Sequence, residues 1–158
     1  MFNTPWSQIL LFVAVCLLIW IVSWYGGFYN YPKCRNPYLP PGFIIGLVWP
    51  VLFGFMGYAH YLTYEANKSE DHPGGDHSVA SVAIIVFAAW CLLYPFLMNR
   101  SEQYARILNY ISLIVVFVLA LLVIKKSQTA FYYLIPVIAW IAYVNLADFI
   151  HINQICKC

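Results

Sequence analysis

Five long apolar stretches, separated by short polar or Pro- and Gly-bearing connections, constrain this chain more than any other feature. They cover about 8–25, 42–64, 79–98, 107–124 and 131–151. A helix needs about 20 apolar residues to cross the hydrocarbon core. Lipid offers no hydrogen bonds, so each crossing segment must satisfy its own backbone, as a helix does. The expectation is an all-α membrane protein: a five-transmembrane-helix bundle in which 1–158 form one domain. Composition agrees, since 63% of residues are hydrophobic and 9% charged, whereas a soluble domain carries about 25% charged residues. A net charge of +2 with scattered Lys and Arg provides no basic stripe, so nucleic acid is excluded as a partner. The lipid bilayer is the first partner.

The segment from Asn36 to Tyr64 joins a Pro-rich loop to the second stretch. Pro40 and Pro41 fix φ near its helical value and lack N–H groups that a helix start leaves unpaired, so a helix is expected from about Gly42. The 3.6-residue period puts Trp49, Phe53, Met56 and His60 on one stripe and Gly46, Pro50 and Gly54 on another. Small residues let a neighbouring helix approach closely, and Pro50 is expected to bend the span. An aromatic, mildly polar face beside a close-packing face reads as a helix that lines something.

The first stretch is longer than a signal-peptide core and has no Lys or Arg before it, so it reads as span one. Trp20 and Trp24 share a face with Cys16, and interfacial anchoring explains these Trp residues as well as ligand contact does. The loop over 26–41, with its aromatic residues and prolines, is too apolar for a merely solvated connector. It reads either as a lid over the mouth of the bundle or as a loop lying at the lipid headgroups. After span two, EANKSEDHPGGDHS is a solvent loop. His72 and His77 there lie near Asp71 and Asp76, but Pro73, Gly74 and Gly75 between them specify no ligand geometry, so no metal site is expected. Asn67-Lys68-Ser69 matches a glycosylation acceptor, which matters only if this loop faces a lumen.

Span three carries Phe87, Trp90, Tyr94 and Leu97 on one face, while span four is nearly all aliphatic and reads as packing and lipid contact. Span five places Trp140, Tyr143, Val144, Ala147 and His151 on a broad face, with Asp148 at its flank. Asp148 is the one Asp, Glu, Lys or Arg within the five stretches. An intramembrane carboxylate usually faces the bundle interior, although this one is close enough to the helix end to be interfacial instead. Lys33, Arg35, Arg100, Arg106 and Lys157 fall on the side of the C-terminus, against Lys68, Lys125 and Lys126 on the other, which puts the C-terminus in the cytoplasm. The organelle is not specified. Cys16, Cys34, Cys91, Cys156 and Cys158 show neither a CxxC pair nor zinc spacing; Cys16 and Cys91 read as buried thiols, and Cys156 and Cys158 as an acylated or unmodified tail.

Over about Tyr29 to Asn153 the sequence resembles the TspO/MBR family of tryptophan-rich sensory and mitochondrial translocator proteins. The resemblance rests on Pro40-Pro41-Gly42, Ile45-Gly46-Leu47-Val48-Trp49 and Val51-Leu52-Phe53-Gly54, followed in span five by Leu134-Ile135-Pro136 and Trp140. It departs from the family pattern at Arg35-Asn36-Pro37-Tyr38, at Trp90 and Leu93, and at Asp148, where the family often has Asn.

The resemblance implies a five-helix bundle, often a homodimer, whose first loop caps a cavity for porphyrins and, in animal members, sterols. No cofactor is required; a porphyrin or related tetrapyrrole is the expected ligand. The residue reading supplies a wall for such a cavity from Trp49, Phe53, Trp90, Tyr94, Trp140 and Val144, with Tyr38 in the lid and Asp148 at its flank. Each aromatic stacking pair would add about 0.5–1.5 kcal/mol beyond burial. Arg35 or His60 is expected to pair with a propionate. A sensor or receptor, a sterol-binding translocator and light-dependent porphyrin breakdown are the competing functions, and Trp49 and Trp140 are the redox candidates for the last. Two loose sterol patterns occur, Leu62 to Tyr64 with Lys68, and Lys126 with Phe131 and Leu134. No acid–base pair or nucleophile arrangement supports hydrolytic chemistry.

Overall fold

A computed structural model describes residues 4–25, 36–68, 79–98 and 102–153. Among the described residues there are five helices and no strand: α1 (Pro5–Tyr25), α2 (Gly42–Lys68), α3 (Val79–Met98), α4 (Glu102–Lys126) and α5 (Gln128–Asn153). Each is long and apolar enough to cross a membrane, so the expected five-helix membrane bundle stands.

Local chemistry sets the helix starts. Thr4 caps α1, its Oγ1 accepting the Ser7 N–H at 3.3 Å, and Pro5 follows at the first helical position. Pro41 opens α2, its carbonyl receiving the N–H groups of Ile44 at 2.8 Å and Ile45 at 3.2 Å. Ser127 alone separates α4 from α5 and caps the latter, accepting the Ala130 N–H on Oγ at 3.2 Å. The helices overrun four of the five apolar stretches, most clearly α4, which begins at Glu102 rather than near 107. The reason is physical: hydropathy marks the part of a helix that lipid surrounds, whereas backbone hydrogen bonding continues through polar ends such as Lys125-Lys126.

α2 lies between α1 and α5, and α4 packs on α3 and α5, with α3 also against α2. α1 and α2 run antiparallel, Gly46 meeting Trp20 and Gly57 meeting Gln8, and so do α4 and α5, where Asn109 meets Asp148. Phe53 and Met56 of α2, Ile84 and Phe87 of α3, Leu119 of α4 and Leu134 of α5 meet in a core where none is more than 2% exposed. Lipid tails are as apolar as this core, so its cohesion comes from close packing rather than from escape from water. Outward-facing Leu18, Phe43, Val51, Val86 and Leu121 supply the lipid face.

The small-residue stripe of α2 meets α1. A Cβ added at Gly57 would stand 2.9 Å from the Gln8 carbonyl oxygen and 3.0 Å from Ile9 Cα, both rigid backbone. At Gly46 it would meet Trp20 Nε1 at 3.0 Å, while Gly54 leaves Val13 at 3.6 Å. Trp20 therefore packs between helices, and Trp24, 64% exposed, is the one turned outward. Cys16 is buried, Cys91 half-buried, and both are free thiols.

Candidate functional site

The described end of the first loop, 36–41, forms a strap held by its own turn chemistry. Asn36 Oδ1 accepts the Tyr38 N–H at 2.9 Å and the Asn36 carbonyl accepts the Leu39 N–H at 3.3 Å, with Pro37 stiffening the bend. This turn frees the Asn36 amide nitrogen to reach α5, where it donates to Asp148 Oδ1 at 3.1 Å and to the Ala147 carbonyl at 3.3 Å. A second tie runs the other way, from the Tyr143 hydroxyl to the Tyr38 carbonyl at 2.5 Å.

Asp148 is half-buried, and its other oxygen accepts from Asn109 Nδ2 of α4 at 2.6 Å. The carboxylate thus turns toward the strap and α4. Each oxygen takes one amide donor from a different element. The aliphatic reading of span four missed this contribution, because Asn109 and Ser112 are isolated polar residues whose spacing of three alone could have flagged a common face.

The Trp90 indole N–H donates to Ser112 Oγ at 2.8 Å, and Ser112 in turn donates to the Leu108 carbonyl at 2.7 Å. Trp90 is therefore oriented by α4. Trp49 meets Phe53 edge to face at 6.1 Å between centroids, and Trp140 meets Tyr143 at 5.7 Å. Trp49, Trp90, Tyr94, Trp140 and Val144 are all partly buried, and Trp49, Trp90 and Trp140 pack against the core. At 1.5 Å per residue, Trp49 lies about 10 Å below the start of α2, and Trp140 about 12 Å below Asp148. These residues, with Tyr38 and Asp148, share the strap half of the bundle.

Two sequence-selected residues stand apart from that group. His60, buried, lies about 27 Å along α2 from Gly42 by helical rise. There its Nδ1 and Gln8 Oε1 are 3.2 Å apart, and its ring is 5.8 Å from that of Phe12, both on α1. It cannot serve a ligand held under the strap. Phe53 is 2% exposed and belongs to the core, supporting Trp49 from below. Arg35, His72, His77 and the Cys156-Lys157-Cys158 tail lie outside the described residues.

One further polar group of α5 faces inward. Asn145 is 5% exposed; its Nδ2 donates to the Ile141 carbonyl at 2.8 Å, while its buried Oδ1 has no hydrogen-bond partner among the described residues. An acceptor left bare in an apolar setting costs free energy. Among the described residues no three His, Cys, Asp or Glu side chains gather as a metal site.

A separate groove of about 580 Å³ opens toward the far end of the bundle between α1, α2 and the start of α5. Trp6, Val51, Gly54, Phe55, Tyr58 and Tyr133 are among its lining residues, and Tyr58 and Tyr133 meet edge to face at 4.6 Å.

Against known proteins, the family model described as TspO/MBR family matches residues 8–150. No curated protein and no solved structure matches the chain.

Proposed function

This chain belongs to the TspO/MBR family, and on that premise we propose that it binds a porphyrin or related tetrapyrrole in the strap half of the bundle. It is a multi-pass membrane protein of the sensor or translocator type. The observation that carries the proposal is the gathering of Trp49, Trp90, Tyr94 and Trp140 in one half of the bundle, beneath a strap tied to α5 through Asn36 and Tyr38. Flat aromatic faces suit a flat macrocycle. The strap side also holds the end of α5, and in this proposal that side faces the cytoplasm, in keeping with its larger share of Lys and Arg.

Protoporphyrin titrated into the purified protein is expected to quench Trp fluorescence with saturation at low micromolar concentration. The Trp49→Phe, Trp140→Phe double variant is expected to lose at least about tenfold in affinity, the equivalent of 1.4 kcal/mol. Linear, unsaturable quenching in the parent protein sinks the proposal.

The groove between α1, α2 and α5 favours a second reading, a sterol or similarly flat apolar lipid held against Tyr58 and Tyr133 at the far end. Of the two sequence patterns for sterol contact, the one ending at Leu134 loses support, because Leu134 is fully buried in the core and cannot meet lipid.

A further inference from the structure

Three elements meet at one carboxylate, which α5 supplies and which accepts from the other two, one on each oxygen. Asp148 Oδ1 takes Asn36 Nδ2 of the strap at 3.1 Å and Oδ2 takes Asn109 Nδ2 of α4 at 2.6 Å, both from a place on α5. An ionised carboxylate is acceptor-only on both oxygens, whereas an amide offers one acceptor and one donor group. Asn at this position would leave one of the two partner amides facing another NH₂. The identities of Asn36, Asn109 and Asp148 are therefore a matched set.

The same Asn36 side chain spends its oxygen on the Tyr38 N–H, so the turn of the strap and its attachment to α5 depend on one residue. The Tyr143 hydroxyl holds the next point along the strap, the Tyr38 carbonyl. On the bundle side, Asn109 fixes the direction of the carboxylate, and Asp148 adds a charge, which strengthens both hydrogen bonds relative to neutral ones.

We infer that Asp148 is a positioning residue: a latch that holds the Asn36–Tyr38 strap down on α5, with Asn109 aiming the latch, so that ligand entry and exit at the strap half are governed by its release. The attachment follows from the contacts alone; its control of ligand exchange rests on the tetrapyrrole reading above. Asp148 touches no ligand in this scheme. It acts through the strap.

The test separates the two layers. Backbone hydrogen–deuterium exchange at Tyr38 and Leu39, measured on the full chain in nanodiscs without ligand, reads the latch directly. Asp148→Asn and Asn36→Asp are each expected to speed that exchange by about tenfold or more, the scale of one lost charge-assisted hydrogen bond. Combining them restores both bonds at position 148, where Asn donates to the new carboxylate at 36 and accepts from Asn109 on its own oxygen, while the Ala147 carbonyl loses the donor it had in Asn36. The Asn36→Asp, Asp148→Asn double variant should then exchange more slowly than either single variant, a rescue that a merely structural loss of stability would not produce. Unchanged exchange in Asp148→Asn, or a double variant as fast as the singles, overturns the latch. Stopped-flow protoporphyrin quenching on the same four proteins reads the second layer, with faster association and dissociation expected only in the singles. If quenching fails to saturate in the parent, the ligand reading falls while the exchange result still decides the latch. Restored exchange with unaltered ligand rates overturns the latch's control of the site.

Discussion

At the scale of single residues, Gly57 has the tightest clearance among the described glycines. Its neighbours there are backbone atoms of Gln8 and Ile9, which cannot rotate away as a side chain would. Gly57→Ala is expected to push α1 and α2 apart and cost about 1–3 kcal/mol, the range of overpacked sites. Gly54→Ala meets ordinary contact distances and should cost little. Comparing the thermal transitions of the two variants in detergent checks this, and equal stability would contradict the close approach. The sequence spacing had pointed to Gly46, Pro50 and Gly54 as the packing stripe, and it chose the correct face. It could not rank the glycines, because clearance depends on where the partner backbone crosses. Trp90 shows the same limit. Its aromatic character was plain in the sequence, but its orientation comes from a hydroxyl on another helix, and no periodicity within α3 reports that.

At the scale of elements, the α4–α5 hairpin turns through Ser127 alone. The Ser127 hydroxyl accepts the Ala130 N–H, and its own N–H closes the last turn of α4 on the Val123 carbonyl at 2.8 Å. Ser127→Ala is therefore expected to cost about 1 kcal/mol through the lost cap, and Ser127→Asp, another good cap, should retain most of it. Equilibrium unfolding of both variants measures the difference, and an alanine indistinguishable from the parent would show that the cap contributes nothing. The hydropathy profile had left a gap of several residues here. It could find the five helices, since only uninterrupted apolar runs of that length satisfy a bilayer, but polar helix ends leave no mark in it. The candidate site was legible to the same degree: its aromatic members lie on helical stripes, whereas Asn36, Asn109 and Ser112 bind across elements and emerge only with the fold.

For the whole molecule, the two regions with binding character use different faces of α2. Trp49 packs on the core, whereas Val51, Gly54 and Tyr58 line the groove from the opposite side of the helix. His60 is engaged with α1. A sterol in the groove and protoporphyrin under the strap are thus expected to bind without displacing one another. Retention of a labelled photoreactive sterol in the presence of saturating protoporphyrin checks this, with Tyr58 or Tyr133 as the expected site of crosslinking. Mutual displacement would mean that both ligands share one site.

The single-residue turn between α4 and α5 also bears on how the protein is made. Asn109 finds its acceptor on α5, not within α4. If α4 left the insertion machinery by itself, it would carry that amide into lipid with no acceptor from another helix, an unfavourable state. The chain between the two helices offers no slack in which one could wait for the other. Helices four and five are therefore expected to enter the bilayer together, as a hairpin, with Asp148 already synthesised when the fourth helix settles.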